Sequence, residues 1–466
     1  MSSEWSVKKL GDLVTFLSGG TPSKSNKDYW DGEIPWISAS SMQSTRYHDS
    51  DLRVTTLGST NGTRSVPAGT VLLLVRGGAL HNKIPVGITT REVTFNQDVK
   101  ALVPKSEDIT PYYLLAWLIS SRELLLGKVE NTGIGAGKLD TKILQDLDVP
   151  LPPKAELLRL ELFSKALDDK TILNQNINQT LEQMAQALFK SWFVDFEPVK
   201  DKIAVLEAGG SQAEATLAAM TAISGKDADA LTVFEREHPE QYAELQATAA
   251  LFPSAMQESE LGEIPEGWSI KPLDEIATYQ NGLALQKFRP ENESDFLPVV
   301  KIAQLKKGFA DGEEKASPNI KPECIIDDGD VVFSWSGSLM VDIWCGGKAA
   351  LNQHLFKVSS TKYPKWLYYK YTAHHLIEFQ RIAEAKAVTM GHIKREHLSQ
   401  AKCLIPSSET VHAFTPFFEP VLNKVISNRL ETRKLENIRD TLLPKLLSGE
   451  ITLPEAEQAV SEAENV

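Results

Sequence analysis

Leu188-Phe-Lys-Ser-Trp-Phe-Val-Asp-Phe-Glu-Pro198 closes a run of 44 residues, 154–197, that holds neither proline nor glycine. Within it Leu160, Phe163, Leu167, Leu173, Ile177, Leu181, Met184 and Leu188 recur at helical spacing and make one apolar stripe. Pro152-Pro153 mark the start and Pro198 the stop. A helix over 155–192 is about 57 Å long at ~1.5 Å per residue. That is about three times the usual length, and such a helix buries its stripe only against a coiled-coil-like partner.

Outward from this helix the sequence repeats. Trp5-Ser-Val-Lys-Lys-Leu-Gly-Asp-Leu13 matches Trp268-Ser-Ile-Lys-Pro-Leu-Asp-Glu-Ile276 at an offset of 263 residues, which also pairs Phe16 with Tyr279, Gly19 with Gly282 and Pro35 with Pro298. After short drifts, Arg76-Gly77 answers Ser336-Gly337, Asn96-Gln97 answers Asn352-Gln353, and Gly137-Lys138-Leu139 answers Gly391-His392-Ile393. This colinear order predicts a tandem duplication. Each copy alternates β-rich runs (70–75, 329–333) with turns, then a helix (112–126, 365–382), and leaves through an apolar-proline exit at 149–153 or 403–406. A second long helix, 408–447, carries Val411, Phe414, Phe418, Val421, Val425, Leu435 and Leu442 on heptad-like spacing. Pro416 and Pro420 imply that it breaks or begins late.

The fold class expected is α+β. Two α/β globular domains stand in tandem, each followed by a long helix, and the two helices form an antiparallel coiled coil with pseudo-two-fold symmetry. The divisions are 1–152 (first globular domain), 153–198 (central helical spacer), 199–262 (acidic, partly helical linker), 263–406 (second globular domain), 407–450 (distal helical spacer) and 451–466 (tail). Asn174 and Asn428 either fix register inside the helical seam or face solvent.

The net charge of −13 argues at first against nucleic acid. Its excess is confined to 201–262, with 3 basic against 11 acidic side chains, and 407–466, with 6 against 10. Both globular stretches are neutral, so a basic face on each is compatible with the total. The N-terminus has no apolar stretch of a signal peptide, the aliphatic run 71–75 is too short for a bilayer, and the three cysteines lack CxxC spacing. A cytoplasmic protein without disulfides or zinc is expected.

Catalytic motifs are missing. Gly133-Ile-Gly-Ala-Gly-Lys138 is followed by Leu139 and is no phosphate loop, and GxSxG, HExxH and the Asn/Asp-Pro-Pro-aromatic motif of amino-methyltransferases do not occur. His374-His375 read as helix-packing residues. What remains are cationic, amide and hydroxyl side chains in loops, suited to guanine, adenine or phosphate. In the first domain these are Ser23, Lys24, Ser40, Arg46, Arg76, Asn82, Lys83 and Lys138. In the second they are Gln280, Lys287, Arg289, Lys301, Lys306, Lys307, Ser336, Ser338, Thr389, His392 and Lys394. Asn96-Gln97 and Asn352-Gln353 either join them or cap turns.

These residues resemble the specificity subunits of type I restriction-modification systems over essentially the whole chain. The Trp-Ser-x-x-x-Leu openings at 5 and 268 are similar to the start of that family's target recognition domains. Pro150-Leu-Pro-Pro-Lys-Ala-Glu156 is similar to its domain-to-helix junction. Leu188–Pro198 and Leu443-Pro-Lys-Leu-Leu-Ser-Gly-Glu-Ile451 resemble the ends of its central and distal regions, and Gly262-Glu-Ile-Pro-Glu-Gly-Trp268 the entry to the second domain. Leu157, where glutamine is common, and Ile405-Pro-Ser-Ser408 depart from the pattern.

The resemblance implies a non-catalytic subunit that reads a bipartite double-stranded DNA site with two recognition domains held apart by a helical ruler. It implies docking of two adenine-N6 methyltransferase subunits and of motor-nuclease restriction subunits, which bind S-adenosylmethionine, ATP and Mg. Phe189, Trp192, Phe193 and Phe196 exceed what a two-helix seam buries and are expected to contact a partner subunit or a recognition domain. Two other readings stay open: the recognition subunit of a two-subunit system whose partner fuses methylase and nuclease, and a scaffold that binds proteins.

Overall fold

The computed structural model describes residues 5–132, 135–292, 294–385 and 391–464; Gly133, Ile134 and Thr389 lie outside them. The chain forms two units, Met1–Leu173 with Thr432–Val466 and Asn174–Glu431. Each holds one globular domain and a portion of both long helices.

In the first domain the entry strand Ser6–Lys9 pairs antiparallel with the exit strand Asp148–Leu151. Val14–Ser18, Val99–Pro104, Val71–Leu74 and Val86–Thr89 make an antiparallel sheet, and Trp30–Ile37 runs parallel to Val93–Phe95. Val71–Leu74 is aliphatic throughout because it is buried on both faces. A helix, Pro111–Ser120, covers it, capped by the Thr110 hydroxyl with proline in its first turn.

The second domain repeats this plan. Ser269–Pro272 pairs with Lys402–Ile405, Thr278–Asn281, Leu355–Ser359, Val331–Ser334 and Met340–Ile343 make the antiparallel sheet, and Leu297–Val300 runs parallel to Ala349–Leu351. The paired glycines have one cause. A Cβ on Gly19 would stand 2.1 Å from the Phe95 carbonyl oxygen, and one on Gly282 would stand 2.2 Å from that of Leu351. The side chains of Asn96 and Asn352 accept from the amides of Asp98 and His354, so both asparagines cap turns.

The long helices are Lys154–Phe193 (central) and Ser408–Leu447 (distal). The central helix buries Leu157, Leu160, Ser164, Leu167, Thr171, Asn174, Asn178 and Ala185, a heptad seam that is polar in its middle. Leu173 and Met184, assigned to the stripe from sequence, are instead 51% and 59% exposed. In the second unit Asn174 Nδ2 donates to Glu431 Oε2 (2.8 Å), Asn178 Nδ2 to the Val425 carbonyl (3.1 Å) and Asn428 Nδ2 to Asn178 Oδ1 (2.8 Å). Numbers rise on one helix as they fall on the other: the helices are antiparallel, and Asn174 and Asn428 lie inside the seam. In the first unit Leu157 and Leu160 share a core with Leu443, Leu446 and Leu447. Pro416 and Pro420 do not break the distal helix. Both are exposed, so water reaches the carbonyls they leave unbonded, while Phe414, Phe418 and Leu422 anchor the opposite face in the core.

The acidic stretch is helical in part, and one further expectation, that for Arg46, is corrected. The stretch 199–262 holds helices at Gln212–Ser224, Ala228–Glu237 and Pro239–Ala250 and most of Glu197–Glu207, around Ala219, Met220, Leu231, Leu245 and Ala249. Lys202, 1% exposed, donates to the carbonyls of Ala249 (3.2 Å) and Phe252 (2.5 Å) at the end of the last helix. Arg46 is not a free loop cation. It is ion-paired with Asp168 and with Asp169 (2.9 Å) on the central helix, and its guanidinium lies 5.3 Å from the Tyr112 ring.

Replacing Asn428 with leucine removes the donor to buried Asn178 and is expected to cost about 1–3 kcal/mol. Combining it with Asn178→Leu should cost less than the sum of the single changes, read from denaturant midpoints in a double-mutant cycle. Arg46→Ala leaves Asp168 buried without its counter-charge and is expected to destabilise by about 3 kcal/mol. Lys24→Ala, on an exposed loop, should change stability by less than about 0.5 kcal/mol in the same denaturation assay.

Candidate nucleic-acid interface

In the first domain three segments meet. Strand Ala136–Lys138 pairs with Arg76–Gly77 so that Lys138 stands opposite Arg76 and Gly137 opposite Gly77. A Cβ on Gly137 would lie 2.8 Å from Leu80 Cβ and 2.9 Å from Val129 Cγ1, so the glycine rung faces inward. Side chains alternate along a strand, and Arg76 and Lys138 therefore face outward. Lys138 is paired with Asp140 at 3.0 Å; the Lys142 amide, and then Lys138, hold that carboxyl below the usual range. The third segment is the loop after Trp30–Ile37: Lys83 Nζ donates to Gln43 Oε1 (3.1 Å), and Gln43 Nε2 to the Ser40 carbonyl (3.0 Å). His81 Nε2 is hydrogen-bonded to the Gly135 carbonyl at 3.0 Å, and exposed Asn82 lies between His81 and Lys83. The structure thus groups Ser40, Arg76, Asn82, Lys83 and Lys138. Ser23 and Lys24 sit on a different loop, where the Ser23 carbonyl accepts from Trp30 Nε1.

The second domain builds the same junction from other side chains. Ser336 bridges His392 antiparallel, and the Gly337 amide donates to the Gly391 carbonyl (2.8 Å). Ile393 N donates to the Trp335 carbonyl (3.0 Å), as Leu139 N does to that of Val75 (2.8 Å). Ser336 is 2% exposed, its hydroxyl 3.0 Å from His354 Nδ1. The Trp335 indole lies 5.8 Å from the His354 ring and 6.3 Å from the His392 ring. Lys306 Nζ donates to Ser338 Oγ at 2.8 Å. Gln43 and Lys306 are 263 residues apart, so Lys306, on helix Ile302–Lys307, ties the second junction from the repeat position that Gln43 holds in the first.

Lys306, Ser336, Ser338 and His392 therefore converge. The others are held elsewhere: Lys301 pairs with Glu314, Lys307 with Asp311, and Lys394, which precedes helix Arg395–Gln400, with Glu396. Lys287 and Arg289 are exposed at and beyond the turn Leu285–Lys287, where Arg289 shares a cleft with Glu291, Glu313 and Glu314. The Gln280 amide donates to the neighbouring Asn281 carbonyl. Trp335 and Gln43 escaped the sequence reading. A tryptophan beside a buried strand reads as core, and Gln43 becomes visible only through its offset to Lys306.

The aromatic cluster is not a partner surface. Phe189, Trp192, Phe193 and Phe196 are at most 8% exposed and fill the core of the second unit. Trp192 meets Phe414 at 4.7 Å, Phe193 meets Trp268 at 5.5 Å and Phe189 meets Tyr371 at 5.0 Å. Phe189, Phe193 and Phe196 pack on the second domain through Tyr371 and Trp268, while Trp192 is enclosed by Phe414, Phe417 and Phe418 of the distal helix and by Phe252. His375 is a packing residue too: burial, then neighbouring His374, push it down to about 4, and its Nε2 is 3.0 Å from the Lys402 carbonyl.

Residues 2–183 and 265–438 match the family described as the type I restriction modification DNA specificity domain. The chain is 30% identical over 362 residues to the type I restriction enzyme HindI specificity subunit of Haemophilus influenzae, covering 75% of this chain and 79% of that one. It is 24% identical to the MjaIX specificity subunit of Methanocaldococcus jannaschii, covering 97% and 94%. Its fold is similar to the S subunit of a type I restriction-modification system from M. genitalium, with a TM-score of 0.50 at 11% identity over 96% of both chains. A duplicated domain with its own long helix, matched by one family in both halves, shows that this chain belongs to the type I restriction-modification DNA specificity subunits.

Proposed function

We propose that each specificity domain reads one half of a bipartite DNA site and that the paired helices set the number of base pairs between the halves. The observation that carries this reading is the shared junction with exchanged chemistry: Arg76 and Lys138 on one ladder, Ser336 and His392 on its counterpart. Base pairs are told apart by their donor and acceptor patterns, so one framework with two sets of donors suits two different half-sites. The family is non-catalytic. Methylation of adenine and ATP-dependent cleavage would belong to docked methyltransferase and restriction subunits, which would hold S-adenosylmethionine, ATP and Mg in the cytoplasm. Leu158, Leu162 and Leu173, exposed on one face of the central helix, offer a methyltransferase subunit an apolar surface. Such partners would share the phosphate contacts, which reconciles the acidic total charge with DNA.

Exchanging residues 1–150 for those of a relative is expected to change one half-site and leave the other intact. Modified adenines, mapped genome-wide in cells co-expressing the chain with its methyltransferase subunit, test this; altered sequence in both halves would refute the modular reading. Matched heptad insertions in 155–192 and in the facing stretch of the distal helix should lengthen the spacer without changing either half. An unchanged spacer would remove the ruler role.

A further inference from the structure

Like charges directly opposite each other on an antiparallel ladder are destabilising, yet Arg76 and Lys138 are opposed in that way. Asp140 offsets only Lys138. Arg76 is exposed, and its side chain has neither a hydrogen bond nor an ion pair among the described residues. The neighbouring rung, Gly77 opposite Gly137, carries no side chains, and Gly77 has a φ of 146°. The segment beyond it is braced by the His81 contact to Gly135 and by the Lys83–Gln43–Ser40 chain. The guanidinium therefore stands on a braced, low-relief ladder beside an ammonium that keeps it from folding back. A local rule broken with the guanidinium left unpaired points to an external acceptor.

Resting on the DNA-reading function above, we propose that Arg76 is a specificity-determining residue. It donates its paired N–H groups to O6 and N7 of one guanine in the half-site read by residues 1–152, while Lys138 lies against the adjoining phosphate. In the major groove guanine alone presents two acceptors on one edge to match the guanidinium fork. An ammonium already half-satisfied by a carboxylate acts as a point charge, which suits a phosphate. The second domain limits the assignment to one half-site: its equivalent rung has Ser336 and His392 beside Trp335, with no guanidinium.

The test uses the full chain co-expressed with its methyltransferase subunit, carrying Arg76→Lys, Arg76→Ala or Lys138→Gln. Methylated adenines are mapped genome-wide, and DNA binding by the complex is followed against salt. Arg76→Lys keeps the charge and loses the fork. It should relax one guanine position in one half-site, with preference for that base falling roughly ten- to a hundredfold, while the other half stays unchanged. Lys138→Gln should weaken binding at all sites alike and make the log–log salt slope shallower by about one, with the motif unchanged. The Arg76 side chain makes no hydrogen bond or ion pair among the described residues, so Arg76→Lys should keep the parent's thermal midpoint, while Arg76→Ala, which lifts the like-charge opposition to Lys138, should match or slightly exceed it. The proposal is overturned if Arg76→Lys leaves the motif intact, if the relaxed position is not guanine, or if both Arg76 variants lose modification uniformly, which would make Arg76 a phosphate anchor. A parent complex that methylates no two-part sequence would instead overturn the DNA-reading function itself, before any variant is compared.

Discussion

Asn174, Asn178 and Asn428 sit 2%, 8% and 1% exposed in a seam where leucines would give more hydrophobic stabilisation. A buried amide is costly unless bonded, and these amides find their acceptors only when Asn178 faces Asn428 and Asn174 faces Glu431. Sliding the helices by one heptad would strand all of them, whereas a leucine seam would tolerate the slip. The polar middle therefore fixes register at a cost in stability, the best-attested use of buried polar groups in helical pairs. The proposed ruler would need one alignment rather than the deepest energy minimum.

Ion pairs then fasten each domain to the seam. Arg429 on the distal helix donates to Asp342 Oδ1 at 2.7 Å, to the Ile343 carbonyl at 3.0 Å and to Glu182 Oε1 of the central helix at 2.9 Å. Burial alone would disfavour its charge, but Asp342 and then Glu182 outweigh that and raise its pKa. In the first unit the polarity is reversed: the domain supplies Arg46 and the central helix supplies Asp168 and Asp169. The duplicated domains thus keep one architecture while their attachments have diverged in sign.

Much of this was legible in the sequence because sterics and periodicity leave strong marks. The helices expected at 155–192 and 408–447 lie at Lys154–Phe193 and Ser408–Leu447. Gly19 and Gly282 matched because a backbone carbonyl fills the space of a side chain in both copies. The failures share a physical origin, since each depended on what a residue meets in space. Counting leucines selected Leu173 and left Asn174 open between seam and solvent, because a polar seam has no apolar signature. Arg46 looked like a loop cation because Asp168, more than a hundred residues away, is brought to it only by the fold. The aromatic run 189–196 announced burial but left a recognition domain and a partner subunit both open as its cover, since hydrophobicity has no direction.

The candidate interface was legible to the same degree. The repeat aligned Arg76-Gly77 with Ser336-Gly337 and Gly137-Lys138 with Gly391-His392, yet no pattern in the sequence says that these distant pairs form one ladder. Register makes that connection, and it gives the divergence its meaning. Gly137 and Gly391 persist because the inward face has no room for a side chain, with Leu80 and Val129 against one and the Ala383 carbonyl against the other. On the neighbouring rung the copies differ: two cations in one, and in the other a buried serine held by His354 opposite an exposed histidine beside a tryptophan. A fold that freezes the inner rung and frees the outer one can change the chemistry it presents without changing its packing, as a family of sequence readers requires.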